Sequence, residues 1–187
     1  RPGYEEAILS MIRFLGVTGL MRGGLPDCVA FKVVAAKHVS GVAELTEEVL
    51  QDMEAFNTLL PAHNPPYVAA VRQFRKLMPG VPLIGSFETG FFQGMPEEAY
   101  LYALPLEMLE HGVRRNGAHG ASHEYVTGWI EKETGRGDLR LISCHLGGSS
   151  SMAAVRGGRA IDTTLGLSLQ SGLPHNNRVG DADPCLS

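Results

Sequence analysis

Residues 139–151 read Leu-Arg-Leu-Ile-Ser-Cys-His-Leu-Gly-Gly-Ser-Ser-Ser. The apolar residues of Leu139–Leu146 predict a buried strand, and the Gly/Ser run predicts the loop that leaves it. Such a loop presents backbone N–H groups and hydroxyls together, which suits phosphate oxygens. A plain hairpin turn is the alternative, because the stretch is neither a Walker loop nor a GxGxxG fingerprint.

Strands continue on the C-terminal side of this stretch. Met152–Val155 and Arg159–Asp162 flank the pair Gly157-Gly158, which is a hairpin signal. After Thr164 the pattern becomes loop-like. Strands therefore follow one another from about residue 139 onward.

On the N-terminal side, helical and strand patterns alternate. Amphipathic helices are predicted at Glu5–Leu15, from a Thr46 cap through Leu60, from Asn64 through Leu77 and from a Ser122 cap through Ile130. The stretch Pro96–Glu110 has a helical pattern that Pro105 interrupts. Buried strands are predicted at Cys28–Val34 and Val81–Phe87. Alternation followed by consecutive strands predicts a mixed α/β fold, with a change of unit at the polar, Gly-containing segment 132–138.

Composition narrows the function classes. The chain has 187 residues and a net charge of −4, so a nucleic-acid-binding surface is not expected. No apolar run approaches the roughly 20 residues that span a bilayer, so no membrane partner is expected. The three cysteines have neither metal-ligand nor disulfide spacing, which makes a reducing cytoplasm the default location.

Two further motifs carry candidate chemistry, one near residue 178 and one near residue 119. In residues 177–184, Asn-Arg-Val-Gly-Asp-Ala-Asp-Pro, the Arg178 guanidinium could face an anion while the two carboxylates fix its orientation; a solvated turn is the alternative. His119 and His123 flank a helix start with helical spacing. Gly120 between them and the lack of a carboxylate argue against a metal site, and a histidine donating to a phosphoryl oxygen fits better.

Two further positions stand at the ends of predicted elements. Asn64, before two prolines, reads as a helix cap, which leaves His63 unexplained. Glu88 follows a predicted strand, where open α/β sheets present ligand contacts, although a solvated carboxylate is the alternative.

In order along the chain, these segments resemble the acetate/propionate kinase family. The matching segments are His63-Asn64-Pro65-Pro66 (family HNPP), residues 95–105 (MPEEAYLYALP), His119–His123 (HGTSH), His145-Leu146-Gly147 (opening HLGNGSS), Ile161–Thr164, Gly172-Leu173, and residues 178–184 (RSGDIDP). Each motif is weak alone, but their ordered combination is highly specific. The resemblance covers nearly the whole chain.

The resemblance implies a partial actin-like (ribonuclease H-like) two-domain kinase fold. Residues 1–135 are expected to be the later part of the N-terminal acyl-kinase domain, and residues 136–187 the opening strands of the C-terminal nucleotide-binding domain. Compared with the family, the chain is expected to lack a front segment with a phosphate loop and a Mg²⁺-linked Asn. It is also expected to lack a back segment with the adenosine pocket and a Mg²⁺-associated Glu.

The implied activity is phosphoryl transfer between ATP and acetate or a similar short-chain carboxylate. By motif position, the catalytic residues are Glu88, His119 and Arg178. The nucleotide phosphates would meet the loop residues His145, Leu146, Gly147, Gly148 and Ser149. The carboxylate substrate would meet Lys32, Val34, His63, Ala118 and Leu169.

Several of these positions depart from the family pattern. Lys32 replaces an Arg and loses its bidentate fork, and Glu88 replaces an Asp and is one methylene longer. The family's Asn-Gly pair becomes Gly148-Ser149, while Ala118 replaces an aromatic residue and Leu169 replaces a Pro. Loss of the ring at Ala118 predicts a roomier acyl pocket.

Two functions therefore stay open. One is an acetate kinase-like enzyme that uses ATP/ADP and Mg²⁺, with the metal contacts supplied by segments outside this chain, and that forms a homodimer. The other is a non-catalytic fragment or pseudoenzyme that binds a nucleotide, an anion or a partner chain.

Overall fold

The computed structural model describes residues 3–19, 21, 24–183 and 185. It divides into two compact units, Arg1–Ser86 and Phe87–Ser187. The first unit contains the helices α1 (Tyr4–Val17), α2 (Glu47–Glu54) and α3 (Asn64–Leu77), with the strands β1 (Val29–Val33), β2 (Val42–Glu44) and β3 (Leu83–Phe87). Its sheet has the order β1-β3-β2, and β2 runs antiparallel to β3.

The helix α2 begins where the sequence predicts. The Val49 N–H donates to the Thr46 hydroxyl at 3.4 Å, which satisfies one of the unpaired donors of the first turn. Leu50 and Met53 on α2 are completely buried. On α3, Val71 is completely buried and Val68 is 2% exposed. These residues confirm that both helices turn an apolar face to the core. The predicted extent of the first helix, through Leu60, is wrong: α2 ends at Glu54, and Phe56 and Leu60 are buried in the turns that follow it.

Asn64 does not cap α3 as predicted. His63 occupies the N-cap position, and Asn64 is the first helical residue and is fully buried. Its amide nitrogen donates to the carbonyl oxygens of Ala35, at 3.0 Å, and Met53, at 2.7 Å. Asn64 thus holds the start of α3 against two other segments of the unit, which no local pattern could reveal.

The strand β1 is less buried than the apolar run Cys28–Val34 predicts. Within it only Val33 is buried, and exposure alternates along the strand. β1 lies at an edge of its sheet, so one of its faces remains accessible. The buried stretch starts at Val33 and continues through Ala36.

The second unit contains α4 (Glu97–Tyr100), α5 (Gly120–Thr134), β4 (Arg140–Leu146), β5 (Ser150–Arg156) and β6 (Arg159–Thr163). The three strands form an antiparallel sheet in the order β4-β5-β6. Gly157 and Gly158 join β5 to β6 with φ of 55° and 75°, as a two-residue hairpin turn requires. The hairpin predicted at Gly157-Gly158 is confirmed.

The predicted helix Pro96–Glu110 is wrong for most of its length. The structure has only the four-residue α4 and a 3₁₀ helix at Leu106–His111. Pro105 separates them, because proline restricts the preceding residue to extended conformations. The apolar residues near α4, including Met95 and Ala99, instead join Phe92 in a core packed against β5 and β6.

The prediction that β4 is buried is also wrong. Only Ser143 is buried on this edge strand, while Ile142 and Leu146 are 64% and 68% exposed. The side chains that point the other way, Ser143 and His145, face the start of α5. β4 therefore presents Ser143 and His145 to the start of α5, and Ile142 and Leu146 outward.

The helix α5 begins two residues before the predicted cap, Ser122. The N-cap is His119, in the left-handed region with φ of 60°, followed by Gly120. A Cβ on Gly120 would lie 2.0 Å from the Glu88 carbonyl oxygen, and the Gly120 N–H donates to that oxygen at 3.1 Å. Only glycine fits this approach, which fixes the backbone at His119.

The α/β class predicted from the sequence is confirmed. α5 ends at Thr134 and β4 begins at Arg140, so residues 135–138 of the expected boundary segment are neither helix nor strand, while residues 132–134 belong to α5. The assignment of residues 1–135 and 136–187 to two kinase domains stays a prediction. Among the described residues, no helix is both long enough and apolar enough to cross a bilayer. Pro184, which closes the last motif, lies outside them.

Candidate active site

Two histidines of α5 converge on one serine of β5. His119 Nδ1 and His123 Nε2 each lie 2.8 Å from the Ser151 hydroxyl oxygen. His123 Nδ1 lies 2.8 Å from the hydroxyl oxygen of Ser143 on β4. The helical spacing that the sequence shows does bring both imidazoles to one place, but their common partner is a hydroxyl.

A third histidine, His145, packs against this pair. Its ring stacks on that of His119, with centroids 4.0 Å apart and planes 17° from parallel. Its Nδ1 lies 3.0 Å from the Ser122 hydroxyl oxygen. Ser122, predicted as a helix cap, therefore orients His145, and the predicted phosphate-loop histidine and the predicted phosphoryl donor are neighbours.

Burial determines the charge of His123. Both His123 and Ser151 are completely inaccessible to solvent. Burial lowers the pKa of His123 to about 4, and the nearby charge of His145 contributes in the same direction. At neutral pH, His123 is therefore an uncharged imidazole with a single N–H to donate.

The turn at residues 147–149 joins β4 to β5, so the stretch forms a hairpin. The Gly147 N–H donates to the Ser149 carbonyl oxygen at 3.2 Å, and the Ser150 N–H donates to His175 Nδ1 at 2.7 Å. These two N–H groups are engaged within the protein. The turn can offer an anion the N–H groups of Gly148 and Ser149.

Arg178 lies beside this turn. Its Nη1 donates to the Ser149 hydroxyl at 2.8 Å. Two backbone hydrogen bonds join Arg178 to His175. The His175 N–H donates to the Arg178 carbonyl oxygen at 3.0 Å, and the Arg178 N–H donates to the His175 carbonyl oxygen at 2.8 Å. Asn176 takes a left-handed conformation, with φ of 45°, inside this tight loop.

The predicted role of the two neighbouring carboxylates is wrong. Asp181 accepts the Gly172 N–H at 2.8 Å, and Asp183 accepts the Cys185 N–H at 2.9 Å. Both therefore hold backbone, while the hydrogen bond recorded for Arg178 goes to Ser149. The orientation of the guanidinium follows from the β4–β5 turn and the His175 loop.

His175 is a site residue that the sequence reasoning missed. It is buried, and it links the turn to Arg178 through one side-chain and two backbone hydrogen bonds. The available signal was its position three residues before Arg178. No spacing rule assigns chemistry to that position, since the contact with Ser150 arises only in the folded chain.

Three other predicted positions of this unit are buried. Glu88 follows β3 and is 6% exposed, so the solvated alternative for it is wrong. Its carbonyl is held by Gly120, which connects it to the start of α5. Ala118 is completely buried next to His119, and Leu169 is buried in the loop after β6. The substrate roles of Ala118 and Leu169 stay predictions.

The first unit holds the remaining three predicted residues. Lys32 lies on β1 with an exposed side chain, and Val34 is buried just after that strand. His63 is half-buried at the N-cap of α3, with its ring in edge-to-face contact with Tyr67 at 6.4 Å. In the part of the chain that the structure describes, no three His, Cys, Asp or Glu side chains group into a possible metal site.

The sequence profile described as the Acetokinase family matches residues 27–187. The chain belongs to the acetokinase family. An acetate kinase of Bacillus velezensis is 45% identical over 190 residues, covering 99% of this chain and 48% of that relative. This acetokinase chain thus spans about half the length of the curated relative. The predicted family is confirmed.

Solved acetokinase structures share the fold. A propionate kinase from Francisella tularensis matches with a TM-score of 0.87 and 31% identity, over 98% of this chain and 48% of that one. The acetate kinase of Porphyromonas gingivalis matches with a TM-score of 0.77 and 36% identity, over 95% and 47%. The predicted kinase fold is confirmed over about half of these structures.

Proposed function

We propose that this acetokinase transfers a phosphoryl group between ATP and acetate or a similar short-chain carboxylate. One observation carries the proposal: His119 and Arg178 both bond the same hairpin, at Ser151 and Ser149 respectively. A cation and an imidazole fixed to one Gly/Ser turn suit a phosphoryl group whose charge is spread over three oxygens. Family membership supports the reaction class.

The proposed reaction is an in-line displacement. A carboxylate oxygen of the substrate forms a bond to the γ-phosphorus, and the bond between that phosphorus and the β–γ bridging oxygen breaks, leaving ADP with the electron pair. His119 donates a hydrogen bond to the equatorial oxygens and Arg178 neutralises part of their charge, while the N–H groups of Gly148 and Ser149 meet the nucleotide phosphates together with His145, Leu146 and Gly147. Glu88 orients the site or assists a proton transfer.

We also propose the carboxylate site. Lys32 would hold the substrate carboxylate as a point charge and Val34 would form an apolar wall, and His63, Ala118 and Leu169 are proposed as further substrate-binding residues. Because Ala118 stands where the family has an aromatic ring, we expect propionate and butyrate to be accepted alongside acetate. A strict preference for acetate would contradict that expectation.

Mg²⁺ is proposed to enter with the nucleotide, whose charge it neutralises when bound. The described residues supply no cluster of potential metal ligands, so no step is assigned to the metal through side chains of this chain. We further propose a cytoplasmic homodimer. The location is supported by three exposed cysteines that form no disulfide; the dimer rests on the family resemblance and is tested by sedimentation.

A non-catalytic role is the second candidate, and the Arg178–Ser149 hydrogen bond favours it. Ser149 stands where the family has Gly, and its hydroxyl occupies one donor of the guanidinium. Lys32, Glu88 and Gly148 also depart from the family pattern. A chain of this kind would bind MgADP without turning it over.

The deciding experiment measures ATP formation from acetyl phosphate and MgADP. Arg178→Ala should lower the rate by about 10²–10³, the usual cost of one charge-stabilising donor, and Arg178→Lys should restore part of it. Arg156→Ala, an exposed arginine at the end of β5, is the matched control and should be unchanged. Saturable MgADP binding with a rate no higher than that of Arg178→Ala would favour the non-catalytic role.

A further inference from the structure

Four buried side chains form a continuous chain of hydrogen bonds. From Ser143 the contacts run to His123, from His123 to Ser151, and from Ser151 to His119, each at 2.8 Å. All four side chains are less than 9% exposed. We propose that Ser143, His123 and Ser151 are positioning residues that keep the neutral imidazole of His119 protonated on Nε2. The inference rests on the proposed role of His119 as a donor to a phosphoryl oxygen.

Ser151 is the centre of this chain. A hydroxyl has one proton and two lone pairs, so with a nitrogen at 2.8 Å on each side Ser151 either donates to one imidazole and accepts from the other, or accepts from both. Accepting from both would leave its own buried proton without an acceptor recorded among the described residues, which is costly. His123, uncharged at neutral pH, likewise donates from one nitrogen and accepts at the other. Two patterns therefore remain in which every proton of the chain has an acceptor, and a change of tautomer at His119 alone would leave the Ser151 proton unpaired.

In the first pattern, Ser143 donates to His123 Nδ1, His123 Nε2–H donates to Ser151, and Ser151 donates to His119 Nδ1. The neutral His119 then carries its proton on Nε2. In the second pattern every bond runs the other way. Nδ1–H of His119 then donates to Ser151, and Nε2 carries a lone pair.

The required chemistry selects the first pattern. A phosphoryl oxygen is repelled by a lone pair on Nε2, unless the ring also takes up a second proton. A positive ring at this position would lie at the N-terminal end of α5, where the helix dipole favours negative charge. The first pattern presents an N–H to the oxygen without any such charge. Reversal is also coupled, because His119 cannot change its tautomer unless Ser151 and His123 change theirs.

The rival explanation is that these groups only satisfy one another in the core. It predicts no fixed direction, whereas the relay requires both rings to carry the proton on Nε2. The first test is two-bond ¹H–¹⁵N correlation spectroscopy on the ¹⁵N-histidine-labelled chain at neutral pH, which reports the tautomer of each ring. We expect Nε2–H on both His119 and His123. Nδ1–H on His119, or different tautomers on the two rings, would overturn the proposal.

The second test removes the central hydroxyl. In Ser151→Ala the coupling is lost, so the tautomer of His119 should become independent of that of His123. The kcat for ATP formation should fall roughly tenfold, corresponding to one lost hydrogen bond to a buried group, while KM for acetyl phosphate should change less than about threefold. An unchanged kcat, or a loss confined to KM, would contradict a positioning role.

Thr127→Val is the matched control. Thr127 is buried on the same helix one turn after His123, and its hydroxyl has no hydrogen-bond partner in the described part of the chain. The substitution removes a buried hydroxyl outside the relay, so both tautomers and kcat should be unchanged. An equal loss of kcat in this variant would assign the effect of Ser151→Ala to general disturbance of α5.

The tautomer measurement separates this inference from the proposed function, because it needs neither turnover nor a substitution. Nδ1–H on His119 in an active chain would overturn the relay and leave the phosphotransferase intact. Nε2–H on both rings in a chain that forms no ATP would leave the relay in place and remove the proposed activity.

Discussion

Asn64 and His123 are both completely buried polar side chains in the first turn of a helix, yet their hydrogen bonds differ in kind. Asn64 donates to two backbone carbonyls, which can only accept. His123 contacts two hydroxyls, which can donate or accept. The hydrogen bonds of Asn64 can therefore run in only one direction, and they stabilise the start of α3 against its neighbours. Those of His123 can reverse, and they can therefore pass a choice of proton position to His119.

The comparison indicates what each unit contributes. In the first unit, polar burial stabilises the junction of α3 with its neighbours. In the second unit, polar burial is concentrated where α5 meets the β4–β5 hairpin, and there it involves titratable groups. Buried networks of this kind are costly unless every member is satisfied, which favours a functional role for the second one.

We expect the largest effect on stability from a substitution at Gly120, whose backbone connects the start of α5 to Glu88. Gly120→Ala would place a Cβ 2.0 Å from the Glu88 carbonyl oxygen, so His119 and Glu88 must separate. We expect the free energy of unfolding to fall by about 4 kcal/mol, measured by urea denaturation with Trp129 fluorescence.

The control for this substitution is Gly128→Ala on the same helix. No atom lies within 4 Å of a Cβ built there, so it should stabilise α5 by roughly 0.5–1 kcal/mol. If both alanines had the same effect, the close approach of Gly120 to Glu88 would not anchor the site.

The next largest effect is expected at Asn64, whose side chain connects the start of α3 to two other segments. Asn64→Ala leaves the Ala35 and Met53 carbonyls without their side-chain donor and creates a small cavity, so we expect a loss of about 3 kcal/mol. Hydrogen exchange of the α3 amides measures it. Asn57→Ala is the matched control: the side-chain oxygens of Asn57 and Asn64 both lack a hydrogen-bond partner among the described residues, whereas the Asn64 amide nitrogen also donates to two carbonyls. Equal losses in both variants would contradict this role of Asn64.

The smallest effect sharpens the comparison, because only His123 titrates. Its pKa is 6.5 in an unfolded chain and about 4 when folded. As pH falls from 6.5 to 4, the unfolded chain takes up a proton that the folded chain does not. This contribution to stability is therefore complete above pH 6.5 and is lost below it, by roughly 2–3 kcal/mol at pH 4.

Urea denaturation across this pH range measures the effect, with His123→Gln as the comparison. The variant should lose one proton's worth of pH dependence, since Gln does not titrate. The titratable groups recorded nearest to His123 are His145, at 6.3 Å between ring centroids, and His119 across Ser151; both remain in the variant. An unchanged slope would show that folding does not lower the pKa of His123.

Local patterns predicted the elements whose cause is local. The helix α1 follows from its 3.6-residue period, the start of α2 from Thr46, and the β5–β6 hairpin from Gly157-Gly158. The helix expected at Pro96–Glu110 failed because Pro105 interrupts it and its apolar residues pack against strands instead. Periodicity alone cannot show which partner an apolar residue meets.

The site was predicted in part. Motif positions identified His119, His145 and Arg178, which the structure connects through the β4–β5 hairpin. The partners that orient them, Ser151 and His175, carry no sequence signal. Their roles arise from strand register and loop closure, which depend on residues 25 or more positions apart.

We propose above all that the β4–β5 turn and Arg178 bind phosphoryl oxygens. The most direct measurement is a titration of the ¹⁵N-labelled chain with MgADP and acetyl phosphate, followed by amide and guanidinium resonances. We expect saturable shifts concentrated at residues 147–151, at His119 and at the Arg178 side chain. Saturable binding with shifts confined to other residues, or no shifts at millimolar ligand, would contradict the account.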